Sequence, residues 1–229
     1  MSKIAVLFPG IGYTCDKPLL YYSAKLAAEK GFEVVRVPYG NFPPNVKGDA
    51  AKMYQCFVSA REQSEDILKD VAWSDYDEIV FFSKSVGTVV ALSYASEHGI
   101  NVRQVLYTPL VETFRFPVRD GAAGVSGAAG AASVVSAAEA IDAGKSAGAA
   151  GETDAVDAAE TSDVGKSSAI AFHGTGDPWA VTEEIVRICE EKGVPLYLTK
   201  DANHSLECGK AMKDIKTIRK VMRTVKKFL

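Results

Sequence analysis

The sequence predicts an α/β domain with a doubly wound, mainly parallel sheet of six strands covered by helices on both faces. Three observations predict it. Short apolar runs rich in β-branched and aromatic residues alternate with longer amphipathic ones, which is the rhythm of strands buried on both faces. Each short run is bounded by Gly, Pro, Asp or Asn. The 229 residues suit one domain, 1–229, with apolar content (47%) sufficient for an ordinary core.

The strands expected are Ile4–Phe8, Glu33–Pro38, Glu78–Ser83, Val102–Tyr107, Ser168–His173 and Pro195–Thr199. Between them, Leu19–Lys30 stops at Gly31, Gly87–His98 at Gly99 and Val181–Lys192 at Gly193, each a normal helix end. Ala50–Val71 carries apolar Met53, Phe57, Ile67 and Leu68 among charges, and Leu206–Phe228 reads as one helix or two. Ligands of such a sheet bind beyond the carboxyl ends of its strands.

One segment interrupts the rhythm. Residues 121–166 are mostly Ala, Gly and Ser, carry a net negative charge and hold no aromatic residue. They offer little apolar area to offset the entropy of ordering, so an inserted loop, flexible or lid-like, is expected after the fourth strand.

The net charge of −3, with basic residues scattered, asks for neither nucleic acid nor an anionic membrane as partner. The apolar run after Met1-Ser2-Lys3 is too short for a signal peptide, and no later stretch is long enough to span a bilayer, so a cytoplasmic location is expected. Cys15, Cys56, Cys189 and Cys208 are far apart and read as reduced thiols. His204 and Cys208, four apart, lack the further ligands that zinc needs. No metal or cofactor is expected, and a small molecule is the expected partner.

The sharpest local signal is Phe81-Phe82-Ser83-Lys84-Ser85-Val86-Gly87-Thr88, in which a strand enters a small-x-Ser-x-Gly turn and then a helix. Such a turn strains the serine backbone, exposes its hydroxyl above the sheet, and requires small residues two positions to either side. Ser83 fills the first small position and Gly87 the second. The plainer alternative is that Ser85 only caps the helix. The turn also aims the Val86 N–H at an oxyanion. In Phe8-Pro9-Gly10-Ile11-Gly12-Tyr13-Thr14, the glycines either make an ordinary tight turn or place a second N–H, near Ile11, beside it. A dinucleotide loop does not fit, because position 15 is Cys and no acid closes the second strand.

The fifth strand ends in Phe172-His173-Gly174-Thr175-Gly176-Asp177-Pro178-Trp179, where Asp177 either orients a histidine or forms a turn. His173 lies close to the strand and reads as a structural turn histidine. After the sixth strand, Asp201-Ala202-Asn203-His204-Ser205-Leu206-Glu207 sets His204 on a loop opening a helix. His98 sits at a helix end, which leaves His204 as the candidate general base, the alternative being a capping or surface histidine. Asp201, a rival acid, is close enough in sequence to His204 to belong to its turn. Serine, acid and histidine thus fall in that chain order, each at a strand's carboxyl end.

On FPGIGYT, FFSKSVGTVVAL, FHGTGDPWA and DANHSLE the chain resembles the α/β-hydrolase superfamily, except over about 119–167, and looks most like small, cap-poor bacterial serine hydrolases akin to dienelactone-hydrolase-like esterases. The resemblance implies a trimmed α/β-hydrolase fold with strand order 2-1-3-4-5-6. It implies Ser85 as nucleophile, Asp177 as acid, His204 as base, and Val86 and Ile11 as oxyanion donors. Ser83 for glycine and Pro9 where many members carry His are departures that remove no catalytic group. The function expected is hydrolysis of a small ester-type substrate through an acyl-enzyme. A thioesterase or peptidase with the same three residues, or a non-catalytic binding domain, is the alternative. The loops Asn41–Gly48 and Thr108–Arg119 and Trp179 are expected to shape a small apolar pocket.

Overall fold

The computed structural model describes residues 1–116 and 167–229. The insertion expected at 121–166 lies outside them. Among the described residues, β1 (Lys3–Phe8), β2 (Glu33–Arg36), β3 (Glu78–Lys84), β4 (Arg103–Tyr107), β5 (Ala169–Gly174) and β6 (Leu196–Thr199) form one sheet in the order β2-β1-β3-β4-β5-β6. Every pairing is parallel, and the sheet is open. β1, β3, β4 and β5 are buried along nearly their whole length, whereas the edge strands β2 and β6 are partly exposed. Edge strands have one neighbour and less cover, and these two are also the shortest, at four residues each.

Helices α1 (Pro18–Glu29) and α5 (Ala211–Phe228) pack on one face, where Leu19, Leu20, Ala24, Val221, Val225 and Phe228 meet Leu7, Phe82, Val105 and Phe172 of the sheet. On the other face, α2 (Ala50–Leu68) and α3 (Val86–Glu97) bury Ala60, Leu68, Val90, Ala91 and Tyr94 against Ile4, Val6, Phe8 and Phe81. α4 (Thr182–Glu191) extends that layer through Ile185, Ile188 and Cys189. α3 has no polar face: Val86 through Ala95 are all buried, because the sheet lies beneath it and α2 and a 3₁₀ turn at Val111–Arg115 flank it. Local sequence explains the starts of α1 and α2. Pro18 opens α1 in a position where its missing N–H is not needed, and Asp49 caps α2 by accepting the Lys52 N–H at 3.0 Å.

The structure corrects two details. The last helix is single and begins at Ala211, five residues after Leu206. Leu206 instead turns at φ 59° and sinks its side chain into the core beside α1 and α5. His204 therefore sits in a tight turn rather than at a helix start. Among the described residues no helix is long and apolar enough to cross a membrane.

Candidate active site

The carboxyl ends of β3, β5 and β6 bring Ser85, Asp177 and His204 together. Ser85 lies between β3 and α3 with φ 56° and ψ −127°, a backbone conformation that non-glycine residues rarely hold. The neighbourhood fixes it there. Its N–H donates to the Tyr107 carbonyl of β4 at 3.0 Å, and its carbonyl accepts from the Thr88 N–H (2.8 Å) and Thr88 Oγ1 (2.6 Å). Thr88 Oγ1 also meets Thr113 Oγ1 at 2.6 Å, in the 3₁₀ turn after β4. Both threonines are fully buried, so losing the Thr88 hydroxyl would take a donor from the Ser85 carbonyl and leave Thr113 Oγ1 with the Leu110 N–H as its hydrogen-bond partner. Thr88→Val should therefore lower the free energy of unfolding by about 1–3 kcal/mol, read from the midpoint of urea denaturation at constant m-value.

The Ser85 hydroxyl makes no cap hydrogen bond to α3, so the capping alternative fails. It meets His204 Nε2 at 2.7 Å instead. His204 Nδ1 lies 2.6 Å from Asp177 Oδ2. An ionised carboxylate can only accept, so Nδ1 carries the imidazole hydrogen and Nε2 is left to accept the Ser85 O–H. Asp177 also does what the turn alternative required, since its Oδ1 accepts the Trp179 N–H at 2.9 Å. One carboxylate thus both shapes its own loop and orients the histidine. Asp201 takes no part; it is exposed, and its N–H donates to Thr175 Oγ1 at 2.8 Å.

Backbone contacts hold the loop carrying His204. The Asn203 side-chain oxygen accepts the N–H groups of Ser205 and Glu207, and Asn203 N–H donates to the Glu207 carbonyl. Thr108, at φ 43° just past β4, donates its hydroxyl to the His204 carbonyl at 3.1 Å. A Cβ at Gly174 would come within 2.3 Å of the Ala202 carbonyl oxygen, so only glycine lets the end of β5 lie against this loop.

The first loop after β1 folds back through reciprocal Gly10–Tyr13 backbone bonds, with Gly12 at φ 69°. A Cβ on Gly10 would lie 3.1 Å from the Ser85 Cβ, which places this loop directly against the serine. The Tyr39 hydroxyl donates to the Pro9 carbonyl and ties the loop to the segment after β2. The N–H groups of Ile11 and Val86 enter none of the turn and loop hydrogen bonds among the described residues. At the rim, the Trp179 ring lies 5.6 Å from the His204 ring, and Lys47 Nζ sits 5.8 Å over Trp179. The loop Asn41–Gly48 therefore reaches the site.

Burial lowers the proton affinity of His204, partly opposed by its bond to Asp177 and reinforced by nearby Lys84. Burial works against ionisation of Asp177, but the hydrogen bond and charge of His204 and the Trp179 N–H hold its carboxyl below the ordinary value. Sequence reasoning passed over two neighbours. His173 is no turn residue: it lies inside β5, fully buried, with Nε2 3.2 Å from Thr182 Oγ1 and Nδ1 3.8 Å from Asp177 Oδ2. Lys84, the residue before the serine, is 1% exposed, and its Nζ lies 5.1 Å over the Tyr13 ring. Among the described residues no group of three or more His, Cys, Asp or Glu side chains is arranged to hold a metal ion.

No protein-family model and no curated protein matches the chain. Solved structures do. An α/β serine hydrolase homologue from Coxiella burnetii matches 97% of this chain and 84% of its own, with 14% identity and a TM-score of 0.54. A protein of the α/β hydrolase superfamily from Xanthomonas campestris pv. campestris covers 98% and 96%, at 13% identity and a TM-score of 0.55. Est1E from Butyrivibrio proteoclasticus covers 98% and 88%, at 12% identity and a TM-score of 0.51. Identity this low speaks to architecture alone, and by its architecture the chain has the α/β-hydrolase fold.

Proposed function

We propose that the protein is a serine hydrolase acting on a small ester-type substrate, with Ser85 as nucleophile, His204 as general base and Asp177 as the acid that orients it. The observation that carries this reading is the unbroken line from Asp177 Oδ2 through His204 to Ser85 Oγ, with contacts of 2.6 and 2.7 Å, ending on a serine whose backbone is held at φ 56°.

In the proposed reaction, Ser85 Oγ forms a bond to the ester carbonyl carbon as its proton passes to His204 Nε2. Asp177 stabilises the resulting imidazolium, and the N–H groups of Val86 and Ile11 receive the negative oxygen. Collapse of the tetrahedral intermediate breaks the bond to the alcohol, which leaves with the proton from Nε2. Water then attacks the acyl-enzyme and gives a proton to Nε2. The acid departs as that proton returns to Ser85. Every proton is accounted for by His204 alone, so these steps need no metal or cofactor. Trp179, half-buried beside His204, supplies an apolar wall for a small substrate.

A fluorophosphonate probe tests the reading. Covalent labelling at Ser85, located by peptide mass spectrometry and slowed while p-nitrophenyl acetate is present in excess, is the expected result. Folded protein that takes no label would defeat it. The pH dependence has a definite sign as well: kcat/KM falls in acid as His204 takes a proton, with a midpoint below the ordinary histidine value.

A further inference from the structure

Asp177 has more around its carboxylate than the proposed reaction uses. Its side chain is wholly shielded from water, so its charge depends on donors from the protein. Oδ1 accepts the Trp179 N–H at 2.9 Å, and Oδ2 lies 2.6 Å from His204 Nδ1. Oδ2 also faces a second imidazole. His173 Nδ1 stands 3.8 Å from it, on a side chain equally closed to water. That nitrogen has no hydrogen-bond partner among the described residues, whereas Nε2 of the same ring lies 3.2 Å from Thr182 Oγ1. The placement follows from the strand. Phe172 of β5 enters the core under α1 and α5, so the next side chain, His173, points to the other face, where α4 begins at Thr182. The turn closed by the Asp177 N–H on the Gly174 carbonyl, at 3.0 Å, then brings the carboxylate back to the ring.

These neighbours decide which nitrogen of His173 carries the hydrogen. Burial lowers the proton affinity of the ring, against the pull of Asp177, so it is neutral and has one N–H. If Nε2 held that hydrogen, bare Nδ1 would present its lone pair to a carboxylate, with no donor between them and no water to relieve either. If Nδ1 holds it, the Thr182 hydroxyl donates to Nε2 and the remaining N–H faces Oδ2. Only the second arrangement leaves no buried group opposed by its neighbour. At 3.8 Å the contact is the attraction of a bond dipole for a charge rather than a hydrogen bond, and without water it is weakly screened.

We propose that His173 is a positioning residue for Asp177: Thr182 holds it as the Nδ1–H tautomer, and that N–H steadies the negative charge on Oδ2 that His204 needs when it takes the serine proton. The catalytic consequence rests on the hydrolase reading; the tautomer and its attraction for Asp177 do not. His173 is wholly buried and touches no substrate. Its effect is felt when His204 becomes a cation beside Asp177, which happens on the way to the transition state and not on binding. Loss of the N–H should therefore lower kcat and leave KM in place.

The test joins nitrogen-15 NMR of histidine-labelled protein to kinetics with p-nitrophenyl acetate. The chain has three histidines, and exposed His98 is assigned through His98→Gln. At mildly alkaline pH the His173 ring should show its hydrogen on Nδ1; a hydrogen on Nε2, or on both nitrogens, overturns the proposal. His173→Phe keeps a ring and removes the N–H, and should lower kcat roughly tenfold with KM within about twofold of the parent. His173→Asn sets an amide N–H where Nδ1–H was and should recover most of that loss. A purely structural role would not rank the smaller Asn above the ring-shaped Phe. Parent kcat in folded His173→Phe, or an Asn variant as slow as the Phe variant, is the contrary result. Independently of activity, His173→Phe should lower the urea midpoint less in an Asp177→Asn background than in the parent, and additive midpoints count against the contact. If His173→Phe does not fold, Thr182 decides. Thr182→Val should lose the pure Nδ1–H tautomer and lower kcat severalfold, Thr182→Ser should keep the tautomer, and a Val variant with the parent's tautomer and kcat sinks the idea. A parent that hydrolyses no ester, yet shows the Nδ1–H tautomer and non-additive midpoints, would end the hydrolase reading and leave the support of Asp177 by His173 standing.

Discussion

Ser85→Ala and His204→Ala should each lower kcat for p-nitrophenyl acetate by about 10⁴–10⁶-fold, and the double variant should lose no more than the worse of the two. The two atoms involved, Ser85 Oγ and His204 Nε2, share one proton across 2.7 Å. Removing either leaves the other without a role: a serine that cannot pass on its proton is a poor nucleophile, and an imidazole without the serine has nothing to activate but water. The loss corresponds to about 5–8 kcal/mol of activation free energy, at about 1.4 kcal/mol per tenfold change. What survives is the contribution of the oxyanion N–H groups and of substrate binding. Multiplicative losses in the double variant would show that the two residues act separately, and Ser85→Ala turning over as fast as the parent would remove Ser85 from the reaction. Ser85 makes no hydrogen bond to α3, so its alanine variant should melt near the parent and activity should be the property that changes.

The sheet was readable because four of its strands are short apolar runs walled by turn residues, and nothing else in an α/β chain has that form. The three site residues were readable for a related reason. Each sits where a strand has just ended, so the same punctuation that marks the strand marks the residue. What the sequence concealed is two-sided. Lys84 occupies the unconstrained position of the small-x-Ser-x-Gly turn, and a lysine is almost never fully buried without a partner, so pattern gave no reason to place it under the site. His173 lies close to the strand in sequence and so resembles a turn histidine, yet it falls inside β5, and the turn after it folds Asp177 back to within 3.8 Å.

The late start of α5 has a local cause. Apolar spacing continues from Leu206 into the helix, but the Asn203 side chain captures two N–H groups and the Asp214 carboxylate accepts that of Cys208 at 2.6 Å, so the chain stays a loop until Lys210. Thr108 could not be found at all. A threonine at φ 43° is held there by its bonds to His204 and Phe172, which only the folded chain provides.

Gly87→Ala should be, with Gly174→Ala, among the most damaging single-methyl changes at the described residues, costing about 3 kcal/mol or more of stability together with most of the activity. A Cβ at this position would lie 2.3 Å from the Phe8 carbonyl oxygen, 2.4 Å from that of Pro9 and 2.8 Å from the Phe8 carbonyl carbon. These are backbone atoms of β1 and of the loop that follows it, so no side-chain rotation relieves the contact. Either α3 lifts from the sheet or the Pro9–Tyr13 loop moves away. Lifting α3 disturbs a helix whose residues Val86–Ala95 are all buried, and it pulls on the Ser85 backbone held by Tyr107 and Thr88. Moving the loop instead breaks the close approach of Gly10 to Ser85. Ser83, on the opposite side of the serine, shows why the two small positions are unequal: its hydroxyl is accommodated by the Val105 carbonyl of β4 at 3.3 Å. Ser83→Gly should accordingly be mild, whereas Gly87→Ala should lower the urea midpoint sharply and, in whatever fraction folds, lower kcat more than it raises KM. A Gly87→Ala protein with the parent's midpoint and kcat would mean that α3 and the first loop are not in contact where the site requires them to be.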